Sequence, residues 1–219
     1  VPAIIITIPA MLLASLFEAP EFQALFKHSW WFLVVKNVGL GGVCIVFLTH
    51  VVRLLGKYGM EHFLFKDGLR FPTTEMLLWK TRYISAERKR NLHARIAVDY
   101  GIHLCTKKEE NADEQEARLR AKDAIGQIRQ SVGKGIHTRQ YNIQYGMFRN
   151  LAGGTPLMLA LAILSLKFVP GNLAKDISWL YIGGAMFYGL VCLPVIRRMG
   201  KHYAEYLINE YEHKEADNE

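Results

Sequence analysis

Two long runs without charge dominate the hydrophobic pattern of the chain. Residues 177–196, ISWLYIGGAMFYGLVCLPVI, contain no charged side chain over twenty positions. At a rise of about 1.5 Å per residue, a helix of this length matches a hydrocarbon layer of about 30 Å. Residues 151–169 are also apolar except for Lys167, and Pro170 and Gly171 follow as a short turn. The pattern predicts a transmembrane helical hairpin.

The N-terminal part of the chain predicts further spans. Residues 30–55 are long enough to cross a bilayer and begin with a tryptophan pair, but they include Lys36 and Asn37. Polar groups at membrane depth usually face a bundle interior or a water-filled cavity, so these two residues are candidates to line a pore. Snorkelling of Lys36 towards the interface is an equal alternative. Residues 1–17 predict a fourth helix, with a signal peptide as the rival interpretation.

Lysine and arginine are distributed unevenly between the connections. Residues 56–150 carry eighteen of them against eleven acidic residues, and the tail 197–219 carries four. The connections 18–29 and 170–176 carry one each. Because positively charged connections stay on the cytoplasmic side, the middle stretch and the C-terminus are expected to be cytoplasmic. If residues 1–17 do not span, three spans remain and the N-terminus lies outside.

The predicted fold class is all-α, a polytopic membrane protein with about four transmembrane helices and a helical cytoplasmic domain. The predicted segments are a transmembrane hairpin at 1–55, a basic helical cytoplasmic domain at 56–150, a second transmembrane hairpin at 151–196, and a cytoplasmic amphipathic C-terminal helix at 197–219.

One cytoplasmic helix is predicted with both of its ends. Ser85 is a favoured N-cap type, and Gly101 favours a helix end after Tyr100. Leu92 and Ile96 fall four positions apart and predict the buried stripe of this helix.

Other helices of this domain are predicted from capping residues. Thr73 is expected to cap a short helix. Asn111 and Glu114 resemble a capping box, and the helix that they start is expected to end at Gly133, which suits a C′ position. Residues 105–111 are predicted to form a loop.

Three arginines at near-helical spacing are candidate ligands for phosphate. Arg82, Arg88 and Arg95 could present their guanidinium groups to an anion, with Lys89 beside them on the surface. The alternative is a solvated helix face near anionic lipid headgroups.

A second candidate ligand surface combines aromatic and basic residues. Tyr141 and Tyr145 with Arg139 offer stacking for a base together with a phosphate contact. An aromatic stripe of this kind is more often part of a core.

Catalytic motifs are absent from the sequence. It has no GxxxxGK[ST] phosphate loop, GxSxG elbow, HExxH or CxxC motif. His103 and Cys105 are too few for a metal site. We therefore expect no enzyme activity, no metal and no cofactor. Arg88 and His93 fit the Arg-x4-His spacing of some helical ribonucleases, which leaves a membrane-bound ribonuclease as one rival interpretation.

Two sequence blocks carry a resemblance to a known family. Residues 71–79 (FPTTEMLLW) and 142–150 (NIQYGMFRN), followed by Gly153 and Gly154, resemble small bacterial membrane effectors of anti-phage defence that are encoded beside nucleotidyltransferases, the Hailong-type membrane effectors. The resemblance covers residues 70–155. It implies a homo-oligomeric ion channel that is held shut by oligonucleotides from the partner enzyme, and it assigns no binding residue.

We therefore expect an oligomeric channel of the bacterial inner membrane that acts as an anti-phage effector. Its cytoplasmic domain would bind a nucleotide or oligonucleotide made by a partner nucleotidyltransferase. Its other partners would be the lipid bilayer and further copies of itself, expected as a homotetramer. The alternative is a non-conducting membrane scaffold that recruits a cytoplasmic protein through residues 75–132.

Overall fold

The computed structural model describes residues 2–14 and 40–214, and every regular element in these ranges is helical, which confirms the all-α prediction there. The candidate pore residues Lys36 and Asn37 lie outside the described residues. A π-helical turn, Leu55–Met60, joins the second helix to the third. The α-helices are α1 (Pro2–Ala14), α2 (Leu40–Leu54), α3 (Glu61–Phe65), α4 (Pro72–Leu77), α5 (Ala86–Tyr100), α6 (Lys107–Ala112), α7 (Glu114–Val132), α8 (Ile136–Phe168) and α9 (Asn172–His213).

The chain divides into two compact units. The first is drawn from Val1–Met60 and Met147–Leu193, and the second from Glu61–Gly146 and Pro194–Glu219. The long helices α8 and α9 each contribute residues to both units. The described residues of the predicted C-terminal helix thus belong to the same unit as the middle stretch.

The first unit is built on an apolar cluster shared by α1, α2, α8 and α9. Ile6, Val52, Met158 and Ala185 are buried at its centre. The hydroxyl of Ser165 donates hydrogen bonds to the carbonyl of Pro9, at 3.0 Å, and to that of Leu161, at 2.9 Å. The buried polar atom of this serine is therefore satisfied by backbone, as an apolar environment requires.

Close backbone packing in this unit depends on glycine. A Cβ at Gly153 would overlap the backbone of Gly56 in the π-helical turn, and a Cβ at Gly154 would overlap the Ile6 side chain. A Cβ at Gly56 would in turn come within 2.9 Å of the Cα of Asn150. Only residues without side chains allow these segments to approach so closely.

Two helices, α8 and α9, are long and apolar enough to cross a membrane. The connection between them contains Gly171 at a φ of 106°, a conformation that favours glycine. Only 17% of the most apolar stretch of α9 is buried within the protein. Large side chains such as Trp179 and Leu190, 60% and 81% exposed, cover the rest of that surface.

The second unit contains the predicted helix α5 with the predicted ends. The Ser85 hydroxyl accepts a hydrogen bond from the Arg88 amide at 3.2 Å, and Gly101 ends the helix in a left-handed conformation with a φ of 65°. Leu92 and Ile96 are buried as expected. The local sequence signals of α5 were therefore sufficient to predict both of its ends and its buried face.

The predicted loop at 105–111 is wrong, because most of it forms the short helix α6. Thr106 and Glu109 make a capping box in which each side chain binds the backbone of the other residue. The following helix, α7, is capped by Asp113, whose carboxylate accepts from the Glu116 amide at 3.0 Å, and not by Asn111.

The predicted N-cap of α4 is also wrong. Phe71 is the N-cap of α4 and Pro72 occupies its first turn, so the fixed φ of proline starts the helix without a side-chain cap from Thr73. Helix α7 ends at Gly133, as predicted, and this residue has a right-handed conformation with a φ of −65°. A position with this φ does not need glycine.

Candidate functional site

Arg88 and Arg95 lie on one face of α5 and reach the same residue of α9. The Nε of Arg88 donates to the two carboxylate oxygens of Glu212 at 2.9 and 3.0 Å, and its Nη2 donates to the Asn209 side chain at 2.6 Å. Arg95 donates to the backbone carbonyl of Glu212 at 2.8 Å, and its guanidinium lies 4.8 Å from the centre of the Tyr211 ring. Both arginines of α5 thus bind the C-terminal end of α9.

The remaining basic candidates are more open to solvent. Arg82 precedes α5 in an irregular connection and is exposed, so it does not share the face of Arg88 and Arg95. Arg139 is exposed in the first turn of α8.

The two candidate tyrosines have different environments. Tyr141 stacks on Tyr206 with ring centres 4.5 Å apart and planes at 16°, and a hydrogen bond between the two raises the pKa of Tyr141. Tyr145 is buried, its hydroxyl donates to Glu61 at 3.2 Å, and its ring packs edge-on against Phe71 at 5.2 Å. Tyr141 can therefore contribute to a ligand surface, whereas Tyr145 belongs to the core.

A groove of about 500 Å³ lies among α5, the start of α8 and the end of α9. Its walls contain one predicted site residue, Arg88, and several residues that the sequence analysis did not single out. The volume is within the range of small-molecule sites. The lining residues used below are Arg88, His137, Tyr206, Asn209, Glu210 and Glu212.

Glu210 lines the groove and contacts the N-terminus of α8. Its Oε1 accepts a hydrogen bond from the Thr138 amide at 3.1 Å. A Cβ at Gly135 would overlap the carboxylate, so glycine leaves room for it. Because α8 has no acidic residue in its own first turn, Glu210 supplies the negative charge that a helix N-terminus favours.

This junction also leaves polar atoms unsatisfied. Within the described part of the chain, Oγ1 of Thr138 and Oε2 of Glu210 are buried and have no hydrogen-bond partner. Buried polar atoms without partners are costly and are rare in folded proteins. The carboxylate therefore satisfies the N-terminus of α8 incompletely.

Lys89, expected on the surface, is buried. Its ammonium group donates to the backbone carbonyls of Leu78 and Thr81, and burial lowers its pKa. Buried Glu110 accepts from the amides of Trp79 and Lys80 at 2.6 and 2.8 Å. The two side chains satisfy the backbone of an irregular connection, so Lys89 is a structural residue.

His93 is also engaged within the fold. Its Nε2 donates to the carbonyl of Leu77 at 2.8 Å, its ring lies edge-on to Trp79 at 4.9 Å, and burial lowers its pKa. Arg88 reaches α9, whereas His93 reaches the end of α4. Because the two side chains do not converge, this geometry does not favour the ribonuclease interpretation.

Comparison with known proteins gives no relative: no protein-family model, curated protein or solved structure matches the chain. Among residues 2–14 and 40–214, no group of three or more histidine, cysteine, aspartate or glutamate side chains is arranged to hold a metal ion.

The groove residues that the sequence pattern does not reveal are mainly those of α9. Arg88 and Glu212 are 124 positions apart, and so no local spacing connects them. Tyr206 was part of an amphipathic pattern in the tail, but nothing in that pattern identifies Tyr141 as its stacking partner.

Proposed function

We propose that this protein is an oligomeric ion channel of the bacterial inner membrane that acts in anti-phage defence, with a cytoplasmic helical unit that binds a nucleotide or oligonucleotide. The proposal rests on helix α9, which contains an exposed apolar stretch long enough to span a bilayer and also forms a wall of the groove. A membrane segment and a ligand-sized groove are thus parts of one helix.

The membrane part of the proposal adds α1 and α2 to the spans α8 and α9. Both helices contribute to the apolar cluster of the first unit, and the exposed side chains of α2 include Val46 and Phe47. One four-span subunit encloses little water, so conduction requires several copies, and we propose a homotetramer. The positive charge of residues 56–150 supports a cytoplasmic location for that stretch and for the C-terminus.

The sensing part of the proposal uses the groove and the adjoining aromatic stack. Arg88 offers a planar guanidinium to phosphate, and the stack of Tyr141 on Tyr206 offers an aromatic surface to a base. Exposed Arg139 adds positive charge on α8. Arg82 is exposed and is not among the residues that line the groove. Tyr145 is not part of the proposed surface, because it is buried.

Currents across a planar bilayer test the channel. The purified protein should conduct, an added oligonucleotide should change the open probability, and Lys36→Leu or Asn37→Leu should alter the conductance of single channels. Lys122→Leu, an exposed position on α7, is the control for adding an apolar residue elsewhere and should conduct normally. Absence of currents from correctly assembled protein would overturn the channel proposal.

A non-conducting scaffold is the second candidate, and one observation favours it. Arg88 and Arg95 already bind groups of α9, which is what residues with a purely structural role would do. A scaffold predicts no current and a stoichiometric complex with a cytoplasmic protein that depends on residues 75–132.

A further inference from the structure

Two carboxylates of α9 occupy two places in the groove where an external anion would bind. Glu212 binds the guanidinium of Arg88, and Glu210 binds the N-terminus of α8 through the Thr138 amide. Both carboxylates belong to the same groove. An arginine guanidinium and a helix N-terminus are two of the commonest phosphate-binding groups in proteins.

The two carboxylates differ in how completely their oxygens are hydrogen-bonded. Glu212 meets Arg88 through both of its oxygens, whereas Glu210 uses one oxygen and leaves the other buried without a partner in the described chain. The hydroxyl of Thr138, 1% exposed as a residue, is also without a partner. A phosphate group has more acceptor oxygens than a carboxylate and could accept from both the amide and the hydroxyl of Thr138.

The remaining walls suit the rest of a phosphorylated ligand. His137 lies beside the N-terminus of α8, and its ring is 5.6 Å from that of Tyr206. Tyr206 extends the aromatic surface to Tyr141. The groove therefore places aromatic rings next to two positions for anions.

We propose that this groove binds the phosphate groups of a nucleotide, and that Glu210 and Glu212 occupy the phosphate positions until the ligand displaces them. The inference rests on the proposed nucleotide-sensing function and adds to it the location of the phosphates. It also assigns a competing role to the two glutamates, which hold the end of α9 against α5 and α8 in the absence of ligand.

Affinity for inorganic tripolyphosphate, measured by calorimetry on the full-length protein in detergent, tests the proposal. Glu210→Gln and Glu212→Gln should each bind tripolyphosphate at least several-fold more tightly than the parent protein, because a neutral amide competes less well for these positions. Arg88→Gln should bind at least about tenfold more weakly, as expected for the loss of a charge-assisted hydrogen bond.

A matched control lies on the same helix. Glu205 is solvent-accessible and lies close to Lys201 and His202, outside the groove, so Glu205→Gln removes the same charge and should leave the affinity unchanged. The size-exclusion profile and the melting temperature of each variant establish that it is folded. Glutamine can still accept from the Thr138 amide, so Glu210→Gln is expected to fold.

The results separate this proposal from the channel. Unchanged or weaker binding by folded Glu210→Gln and Glu212→Gln, or equal tightening by Glu205→Gln, would overturn the proposed groove site. If Arg88→Gln retained full affinity, the phosphates would bind elsewhere, even if ligand-dependent currents persist. The predicted affinities in a protein without currents would support the groove and reject the channel.

Discussion

At the scale of single residues, the irregular connection between α4 and α5 shows how buried charges can replace secondary structure. Lys89 provides donors for two carbonyls of this connection, and Glu110 provides acceptors for two of its amides. Backbone groups that are buried without partners cost free energy, so both side chains are needed. The pair also balances its own charge in a low-dielectric region.

Replacing Glu110 by alanine should therefore destabilise the second unit. The variant leaves two amides without an acceptor and Lys89 without a nearby opposite charge, and we expect a loss of about 2–4 kcal/mol in the free energy of unfolding. Denaturant titration in detergent, with tryptophan fluorescence as the signal, measures this free energy of unfolding. Asp123→Ala, an exposed position on α7, is the control and should change stability by less than about 0.5 kcal/mol. Equal effects of the two variants would contradict this role of Glu110.

His93 should make the stability of the second unit depend on pH below neutrality. Burial lowers the pKa of His93 below its ordinary value of 6.5, so the folded state holds the neutral ring. As the pH falls below 6.5, the unfolded chain takes up a proton first, and stability is lost progressively towards the lowered pKa. His93→Gln keeps a donor for the Leu77 carbonyl but cannot titrate.

Melting temperatures at about pH 7.5 and about pH 5.5 test this linkage. The decrease on acidification should be smaller in His93→Gln than in the parent protein. His103→Gln changes an exposed histidine that follows α5 and should retain the full decrease. A decrease of the same size in all three proteins would show that other groups determine the pH dependence.

At the scale of elements, helix ends were predictable where the signal was local. Helix α5 begins after Ser85 and ends before Gly101, as expected, and the capping box of Thr106 and Glu109 is also a local signal in the sequence. The contacts of Arg88 with α9 were not readable, because they join residues distant in the chain. The same holds for Tyr145, whose burial depends on Phe71 from another element.

The packing of α8 on the π-helical turn gives an element-scale prediction. Gly153→Ala places a methyl group against the backbone of Gly56, and we expect a destabilisation of about 1–3 kcal/mol from overpacking. Gly146→Ala lies on the same helix with nothing within 4 Å of the added Cβ, so it should be neutral or stabilising by up to about 1 kcal/mol. Thermal unfolding in detergent compares the two variants. Equal stability of both would show that the glycine contact is not required.

At the scale of the whole molecule, the exposed apolar surface of α8 and α9 is the property that most constrains function. Many large apolar side chains of these helices are exposed, and the chain also carries a formal net charge of +7, concentrated in residues 56–150. Hydropathy and charge, which are sums over many residues, were readable from the sequence. The groove was not, because it is formed by side chains from three separate helices.

The mass of the purified protein in detergent provides the molecular-scale prediction. We expect a complex of about four copies of the 25.0 kDa chain, with aggregation when the detergent is removed. Light scattering coupled to size exclusion measures the protein mass separately from the detergent. A monomer would reject the channel, and a protein that stays dispersed and folded in plain buffer would reject the membrane assignment as well.

The connection held by Lys89 and Glu110 has a consequence for hydrogen exchange. Its residues lack regular secondary structure, and such segments usually exchange their amide protons quickly. The amides of Trp79 and Lys80 are nevertheless bound to a buried carboxylate. Deuterium should therefore enter these two positions as slowly as it enters the neighbouring helices, so that the slowest-exchanging region of the second unit includes residues that belong to no helix.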